Sequence, residues 1–173
     1  MNINIFFVLV ASILLAIFAM FKPIYIKQRE FVDVPVFDIS NFLMYELNVN
    51  GLKTFIKGDK ATKYADRDTV ENIDYTDNSK KYMINIKAKN GIYKDKVVYL
   101  DGDVVFFRED GLTFETQKAV YDKITTIARA DGDYLIHRAK NSVVGRELKY
   151  NNQLNSVSAK DISAIFQLKE SKK

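Results

Sequence analysis

The most regularly spaced acidic side chains in the sequence belong to a repeated Asp-Gly-Asp motif. It stands at Asp101–Asp103 in "DGDVVFFRE" and at Asp131–Asp133 in "DGDYLIH". Carboxylates in such positions serve calcium loops or, as a pair, the hydrolysis of glycans. An EF-hand loop needs oxygen ligands at alternate positions and a closing glutamate, but this motif turns apolar after three residues. We therefore interpret both copies as tight hairpin turns, which also argues against a catalytic pair of Asp101 and Asp131.

The other groups that catalysis uses are scarce. His137 is the only histidine, and the alternating context "DYLIHRAK" is typical of a strand histidine that is exposed or hydrogen-bonded. A hydrolase triad needs a base beside a nucleophile, and a metal site needs a cluster of ligands. The chain has no cysteine and no glycine-rich phosphate loop. The sequence thus predicts no catalytic residue, no metal site and no cofactor, and we expect that the protein is not an enzyme.

The N-terminus carries a long uncharged segment, Ile3–Phe21. Nineteen helical residues match a hydrocarbon core of about 30 Å. A signal peptide is disfavoured because no basic residue precedes Lys22 and "AIFAMFKP" has no small-x-small cleavage site. A buried core helix would rarely lack a charged face over this length. We predict an uncleaved transmembrane anchor over residues 1–21.

A short linker is predicted over residues 22–36, because Pro23 and Pro35 near its ends disfavour a helix. Basic residues follow the predicted span and none precedes it. The positive-inside rule alone would place the C-terminal domain in the cytoplasm. That bias is small, and long domains cross the membrane largely regardless of charge.

The charged residues all lie beyond the predicted anchor. They are 26 basic and 22 acidic residues, a formal net charge of +4, with no run of five basic residues. This distribution does not indicate nucleic-acid binding. A mildly basic surface suits acidic lipid head groups or phosphorylated sugars.

The segments beyond Pro35 are short and rich in Val, Ile, Tyr, Phe and Thr, which is typical of strands. They are separated by pairs that favour tight turns: Asn50-Gly51, Asn90-Gly91, Asp101-Gly102, Asp110-Gly111 and Asp131-Gly132. No window beyond the anchor shows a sustained helical period. We predict an all-β domain with strands of five to seven residues.

Four tyrosines end similar phrases at intervals of 28 or 29 residues: Tyr64, Tyr93, Tyr121 and Tyr150. A repeat of this length supplies two or three strands, which cannot bury an apolar face alone. We therefore expect stacked units that form an elongated structure of two sheets.

The pattern of apolar residues differs between strands. "GLTFETQ" alternates, with Leu112 and Phe114 on one side, whereas "VVYL" and "VVFF" are apolar on both faces. A central strand that is covered on both sides explains the second pattern. A face that lines an interior open to an apolar ligand explains it equally well.

Taken together, the anchor, "GLKTFIKGDKATKYADRDTVENIDY" and the repeat in "VVYLDGDVVFFREDGLTFETQKAVYD", residues 97–122, resemble the LptC family. That family supplies the single-span inner-membrane protein of the lipopolysaccharide export bridge. The resemblance extends from the anchor to about Leu168. It implies an open, twisted antiparallel β-jellyroll, here residues 37–168, with an apolar groove and a position in the periplasm.

The resemblance also implies a function and partners. The domain would receive lipopolysaccharide or lipooligosaccharide from an inner-membrane ABC transporter and pass it to a soluble periplasmic bridge protein of the same fold. An alternative is an anchored β-scaffold that joins envelope proteins through sheet edges without binding lipid. A docked jellyroll would pair with the last strand, predicted to consist of Asp161, Ile162, Ser163, Ala164, Ile165, Phe166, Gln167 and Leu168. A basic tail follows over residues 169–173.

Apolar residues at matching places in successive units are the candidates for lining the groove. They are Ile86, Tyr93, Val104, Phe106, Phe114, Tyr121, Ile136, Leu148, Tyr150 and Phe166. Lys53, Lys57 and Lys63 are candidates for contacting lipid phosphates at the rim, or are simply solvated.

Overall fold

The computed structural model describes residues 3–20, 33–49 and 51–167. The chain divides into two compact units, residues 1–31 and 32–173. The first contains one helix, α1, over Ile3–Met20. Within the described residues, no helix has the length and apolar character that crossing a membrane requires. Residues 22–32 of the predicted linker, Leu168 and the predicted basic tail lie outside the described residues.

The second unit consists of strands, which confirms the all-β prediction. Seven of the twelve residues of its fifth strand, "VVYLDGDVVFFR", are Val, Tyr or Phe, and side chains of this kind favour the pleated surface. The nine strands are β1 Phe37–Asn48, β2 Gly51–Lys63, β3 Asp68–Asp77, β4 Ile84–Lys94, β5 Val97–Arg108, β6 Leu112–Asp122, β7 Ile127–Arg138, β8 Asn141–Asn151 and β9 Ser156–Ile165.

The strands form one antiparallel sheet in which the order of strands is the order along the chain, from β1 to β9. In the described part of the protein, β1 and β9 are the edges of this sheet. The fold is therefore an open, jellyroll-like sheet. It is a single sheet, not the two stacked sheets that the repeat suggested, and one 28- or 29-residue repeat corresponds to two consecutive strands with their turns.

The strands are ten to thirteen residues long, and the prediction of five to seven was wrong. The reason is that Asn90-Gly91, Asp101-Gly102 and Asp131-Gly132 lie inside β4, β5 and β7 instead of between strands. Gly102 and Asp103 have φ angles of 81° and 48°, the left-handed geometry of a β-bulge as well as of a hairpin turn. Asp110-Gly111 is a true turn, in which the Gly111 amide donates to the Arg108 carbonyl at 2.8 Å.

Each of these interior irregularities marks a bend. The strand register shifts at the middle of β4, β5, β6, β7 and β8. Residues other than glycine adopt positive φ at the same level in several strands, namely Asn41, Asn72, Asp103, Glu147 and Asp161. A β-bulge inserts an extra residue and bends the strand. The sheet is therefore folded along a line that crosses the middle of its strands.

Two glycines show how closely the halves of the sheet approach across the bend. A methyl group on Gly58 would lie 2.9 Å from Cγ1 of Val70, although Val70 pairs with Ala61, three residues further along β2. In a flat sheet that separation would be about 10 Å. A methyl group on Gly91 would likewise lie 3.5 Å from Cδ1 of Ile73. The face that carries these residues is the concave one, and we call it the inner face.

The turn between β5 and β6 is stabilised by charge. Asp110 accepts hydrogen bonds from Nε of Arg108 at 2.8 Å and from the Leu112 amide at 3.4 Å. Arg138 on the neighbouring β7 lies 3.2 Å from the same carboxylate. The Arg108 hydrogen bond lowers the pKa of Asp110 to about 2 from an ordinary value of 3.8.

We predict that Gly145→Ala destabilises the domain by about 1–3 kcal/mol, because overpacking a well-filled site costs this much. The new methyl group would lie 2.5 Å from Oη of Tyr134 and 3.0 Å from the Lys160 carbonyl oxygen. Gly132→Ala is the matched control, since nothing lies within 4 Å of its methyl position. Urea unfolding of both variants measures the difference. Equal midpoints for the two variants would contradict the tight contact at Gly145.

We predict that Asp110 makes the stability depend on pH between about 4 and 2. Its pKa is lowered in the folded state, so its contribution is present above the unfolded value and is lost as the pH falls through the folded value. Asp110→Asn removes this part of the dependence. Unfolding midpoints measured from pH 2 to 7 test it, with Asp131→Asn at an exposed carboxylate as the control. An unchanged profile in Asp110→Asn would refute the assignment.

Candidate functional site

The middle of the inner face is the most buried part of the domain. Val104 in β5 pairs with Thr116 in β6, which pairs with Tyr134 in β7, which pairs with Gly145 in β8. Val104 and Tyr134 retain 2% and 5% of their accessible surface. Burial also raises the pKa of the Tyr134 hydroxyl. We call these four residues the central row.

Four of the predicted groove residues lie in one row across the sheet on the same face. Because side chains alternate along a strand, residues two positions from the central row share its face. The pairings run in the order Ile86, Phe106, Phe114, Ile136, Val143 and Ala164, from β4 to β9. We call this set the phenylalanine row. Ile86, Phe106, Phe114 and Ile136 are half-buried, and the rings of Phe114 and Tyr134 stack at 6.1 Å.

Three predicted tyrosines lie in a second row, in the half of the sheet beyond the bend. The pairings run in the order Tyr93, Val98, Tyr121, Ala128, Tyr150 and Val157. We call this set the tyrosine row. Tyr93 lies two residues from the buried Gly91 and therefore shares the inner face. Both Tyr93 and Tyr121 are 37% exposed, so this row lies nearer to solvent than the central row.

The three remaining predicted groove residues occupy different places. Val104 belongs to the central row. Leu148 lies two residues from Tyr150 and pairs with Ala130, which is 1% exposed. Phe166 lies just beyond the end of β9 and is 65% exposed. The structure therefore brings eight of the ten residues into the three rows and places Leu148 beside the tyrosine row.

Two open cavities of about 690 and 480 Å³ lie along the bend. The larger one is lined by neighbouring residues of single strands, such as Val104 with Val105 and Tyr134 with Leu135. Because neighbours point to opposite faces of a strand, this cavity is not confined to the inner face. Val104 lines the larger cavity and Leu148 the smaller one, and the other eight predicted residues line neither.

The interior of the domain is shallow. Among the described residues, the buried apolar side chains are Ala88, Val104, Ala130 and Tyr134, and no large side chain is completely buried. The apolar side chains of the phenylalanine row and the tyrosine row are only partly covered by the protein itself. Such a surface gains free energy when an apolar ligand covers it, at about 25 cal/mol per Å². An apolar ligand would therefore be bound through the apolar area that it buries, and not through hydrogen bonds.

Both edge strands expose large apolar side chains. On β9 these are Val157, Ile162 and Ile165, which are 58% to 69% exposed; on β1, Leu43, Met44 and Tyr45 are 51% to 57% exposed. The predicted last strand, residues 161–168, corresponds to β9, but β9 begins at Ser156 and ends at Ile165. Asp161 has a φ of 50°, so it is a bend within the strand and not the first residue of it.

Charged groups near the rim are mostly engaged within the domain. Lys53 donates to Glu46 at 2.6 Å, and that hydrogen bond raises the pKa of Lys53 and lowers the pKa of Glu46. Lys63 lies 3.4 Å from Asp68. Lys57 is exposed and pairs with Asp74 in β3. It is the neighbour of Gly58, which lies on the inner face. Because neighbouring side chains alternate along a strand, Lys57 points to the outer face.

The inner face also carries two cations that the sequence reasoning missed, Arg108 and Arg138. They stand two residues beyond Phe106 and Ile136, and the alternation that placed those residues on one face predicts the same face for the arginines.

The structure gives little support for chemistry at other places. His137 lies 3.7 Å from Glu115 and is partly exposed. Within residues 3–20, 33–49 and 51–167, no group of three or more His, Asp or Glu side chains is placed to hold a metal ion.

The comparison with solved structures finds seven similar chains. One of them is described as the crystal structure of LptH, the LptA homologous periplasmic component of the conserved lipopolysaccharide transport device from Pseudomonas aeruginosa. It is 20% identical, and the match covers 80% of this chain and 99% of that chain with a TM-score of 0.40. No curated protein matches the sequence.

A family model described as "LptC: Lipopolysaccharide-assembly, LptC-related" matches residues 7–159. The match covers most of α1, strands β1 to β8 and the beginning of β9. It confirms the resemblance that the sequence suggested on the repeat at residues 97–122. The chain belongs to the LptC-related family of lipopolysaccharide-assembly proteins.

Proposed function

We propose that the protein transports lipopolysaccharide or lipooligosaccharide by holding the acyl chains on the inner face of its sheet. The observation that carries the proposal is the phenylalanine row. It extends apolar side chains across β4 to β9, half-buried in β4 to β8 and exposed at Ala164 in β9. No helix or strand among the described residues of the β domain covers this row. Membership of the LptC-related family supports a role in lipopolysaccharide transport.

A surface of this kind suits transfer better than storage. Burial of acyl chains is non-directional and depends on the area covered. The phenylalanine row offers no hydroxyl or amide side chain that would hold a lipid in one position. A chain can therefore shift along the row without breaking specific bonds. In this proposal no covalent bond is made or broken, and the protein is not an enzyme.

We place the domain in the periplasm and the N-terminal segment, residues 1–21, in the inner membrane as a single span. The uncharged segment Ile3–Phe21 and the family support this arrangement. The lipid would arrive from an inner-membrane ABC transporter and leave for a soluble periplasmic bridge protein of the same fold.

The route to that bridge protein would be the edge strand β9. An edge strand presents unpaired amide and carbonyl groups that another strand can extend. The tyrosine row ends at Val157 in β9 and the phenylalanine row ends at Ala164 in β9, and both residues are apolar. A strand added to β9 could therefore continue the inner face. This is the structural reason for expecting transfer at β9.

A second function is favoured by the exposed apolar side chains of both edges. Leu43 and Met44 on β1, and Ile162 on β9, suit protein contacts equally well. In this alternative the domain is an anchored scaffold that joins envelope proteins through sheet edges and binds no lipid.

We predict that a photo-crosslinking amino acid at Phe106 captures the glycolipid in cells, whereas the same group at Phe107 does not. The two residues are neighbours in β5, and only Phe106 belongs to the phenylalanine row. Phe107 is 37% exposed, so it is at least as accessible to reagents in solution. Immunoblotting for the glycolipid after irradiation measures the capture.

Tyr121 and Val120 provide a second pair in the other half of the sheet, with Tyr121 on the inner face and Val120 opposite Arg129 on the outer face. Capture at Phe107 and Val120 as strong as at Phe106 and Tyr121 would show that lipid does not distinguish the faces. Capture of proteins alone at all four positions would favour the scaffold.

A further inference from the structure

The inner face changes from apolar to cationic at the end of its strands. In β5 the inward residues are Val104, Phe106 and then Arg108, and in β7 they are Tyr134, Ile136 and then Arg138. Arg108 pairs across the sheet with Ile84, and Arg138 pairs with Leu112. Each arginine can lay its aliphatic stem against an apolar neighbour while its guanidinium stays in water. This order of side chains suits a ligand with an apolar tail and an anionic head.

A single carboxylate holds both guanidinium groups side by side. Arg108 donates from Nε and Nη2 to the two carboxylate oxygens of Asp110 at 2.8 and 2.9 Å. Nη2 of Arg138 lies 3.2 Å from Oδ2, the oxygen that Arg108 Nη2 also contacts. Nε of Arg138 donates to the Asp110 backbone carbonyl at 3.3 Å. Two positive charges share one negative charge, so the cluster carries a net charge of +1.

The cluster keeps hydrogen-bond donors for a ligand. None of the hydrogen bonds formed among residues 33–49 and 51–167 uses Nη1 of either arginine. The side chains of Arg108 and Arg138 are 35% and 56% exposed, whereas that of Asp110 is 12% exposed. The carboxylate is therefore shielded behind the two guanidinium groups, which face solvent.

Among residues 33–49 and 51–167, the ion pairs of Arg108 and Arg138 are formed with Asp110 and not with Glu109. The carboxylate of the adjacent Glu109 accepts a hydrogen bond from the Met83 amide at 3.1 Å. The guanidinium of Arg108 lies 5.7 Å from the ring of Tyr82, a cation–π contact that helps to fix its position. Guanidinium groups held in a fixed geometry bind phosphate and carboxylate groups by paired hydrogen bonds.

We propose that Arg108 and Arg138 form an anion-binding site at the mouth of the inner face, which binds a phosphate or carboxylate of the glycolipid head while the acyl chains lie on the phenylalanine row. The site rests on the proposed function and adds the recognition of a head group to it. Asp110 is the positioning residue, because it orients both arginines without facing the ligand.

The test compares lipid A that carries two phosphates with the same lipid after removal of its phosphates, using the full-length chain in nonionic detergent. Arg138→Gln is the variant of choice, because the two hydrogen bonds between Arg108 and Asp110 remain. Arg129→Gln is the matched control. It removes one positive charge from the same strand, on the outer face opposite Val120. Thermal unfolding verifies that both variants are folded.

We expect Arg138→Gln to weaken binding of the phosphorylated lipid about tenfold, the effect of one hydrogen bond to a charged group. Binding of the dephosphorylated lipid should not change, and Arg129→Gln should bind both lipids like the wild type. Arg138→Lys, which keeps the charge but loses the planar fork, should lie between the wild type and Arg138→Gln.

The outcomes separate this inference from the proposed function. If Arg138→Gln binds the phosphorylated lipid as tightly as the wild type does, the arginine site is refuted and lipid binding stands. If the wild type binds neither lipid, the proposed function is refuted as well. Competition by millimolar inorganic phosphate equal to that by the lipid would assign the site to free anions and overturn the head-group assignment.

Discussion

The structure depends on one constraint: a sheet that no other layer covers must cover itself. The described residues of the β domain contain no helix that could shield a face of the sheet. An apolar face left in water costs free energy in proportion to its area. The strands solve this by bending in the middle, where Asn72, Asp103 and Asp161 take up left-handed conformations and where Gly58 leaves space for Val70.

The bend also determines how much of the face is left for a ligand. Close to the bend the two halves of the sheet bury the central row, and Val104 is almost inaccessible. Two residues further along each strand the halves have separated, and Phe106 and Phe114 are only half-buried. Another two residues further, Arg108 and Arg138 meet water. Burial, apolar character and charge thus follow the distance from the bend, which orders the site from an apolar floor to a cationic rim.

Much of this arrangement follows from alternation and repetition in the sequence. The places of Phe106 and Ile136 on one face could be predicted because both stand five residues after the start of an Asp-Gly-Asp repeat. The strand lengths could not, because Asp-Gly favours positive φ both in a hairpin turn and in a bulge, and the motif at Asp101 does not reveal which one forms. The reversal between β4 and β5 uses Asp95 and Lys96, with φ of 50° and 64°, and lacks the expected glycine. Arg108 and Arg138 are held side by side because both contact Asp110 in the turn after β5. Alternation along a strand does not describe the geometry of that turn.

The agreement between strand order and chain order has a consequence for folding and for evolution. Every strand pairs with the one made just before it, so no long loop has to close before the sheet can form. Assembly can begin at any hairpin and spread outwards, as in proteins built from repeats. Duplication or deletion of one 28- or 29-residue unit would change the width of the sheet by about 10 Å. Homologues could therefore differ in the width of the sheet and in the number of strands, while the pairing within each remaining hairpin stays the same.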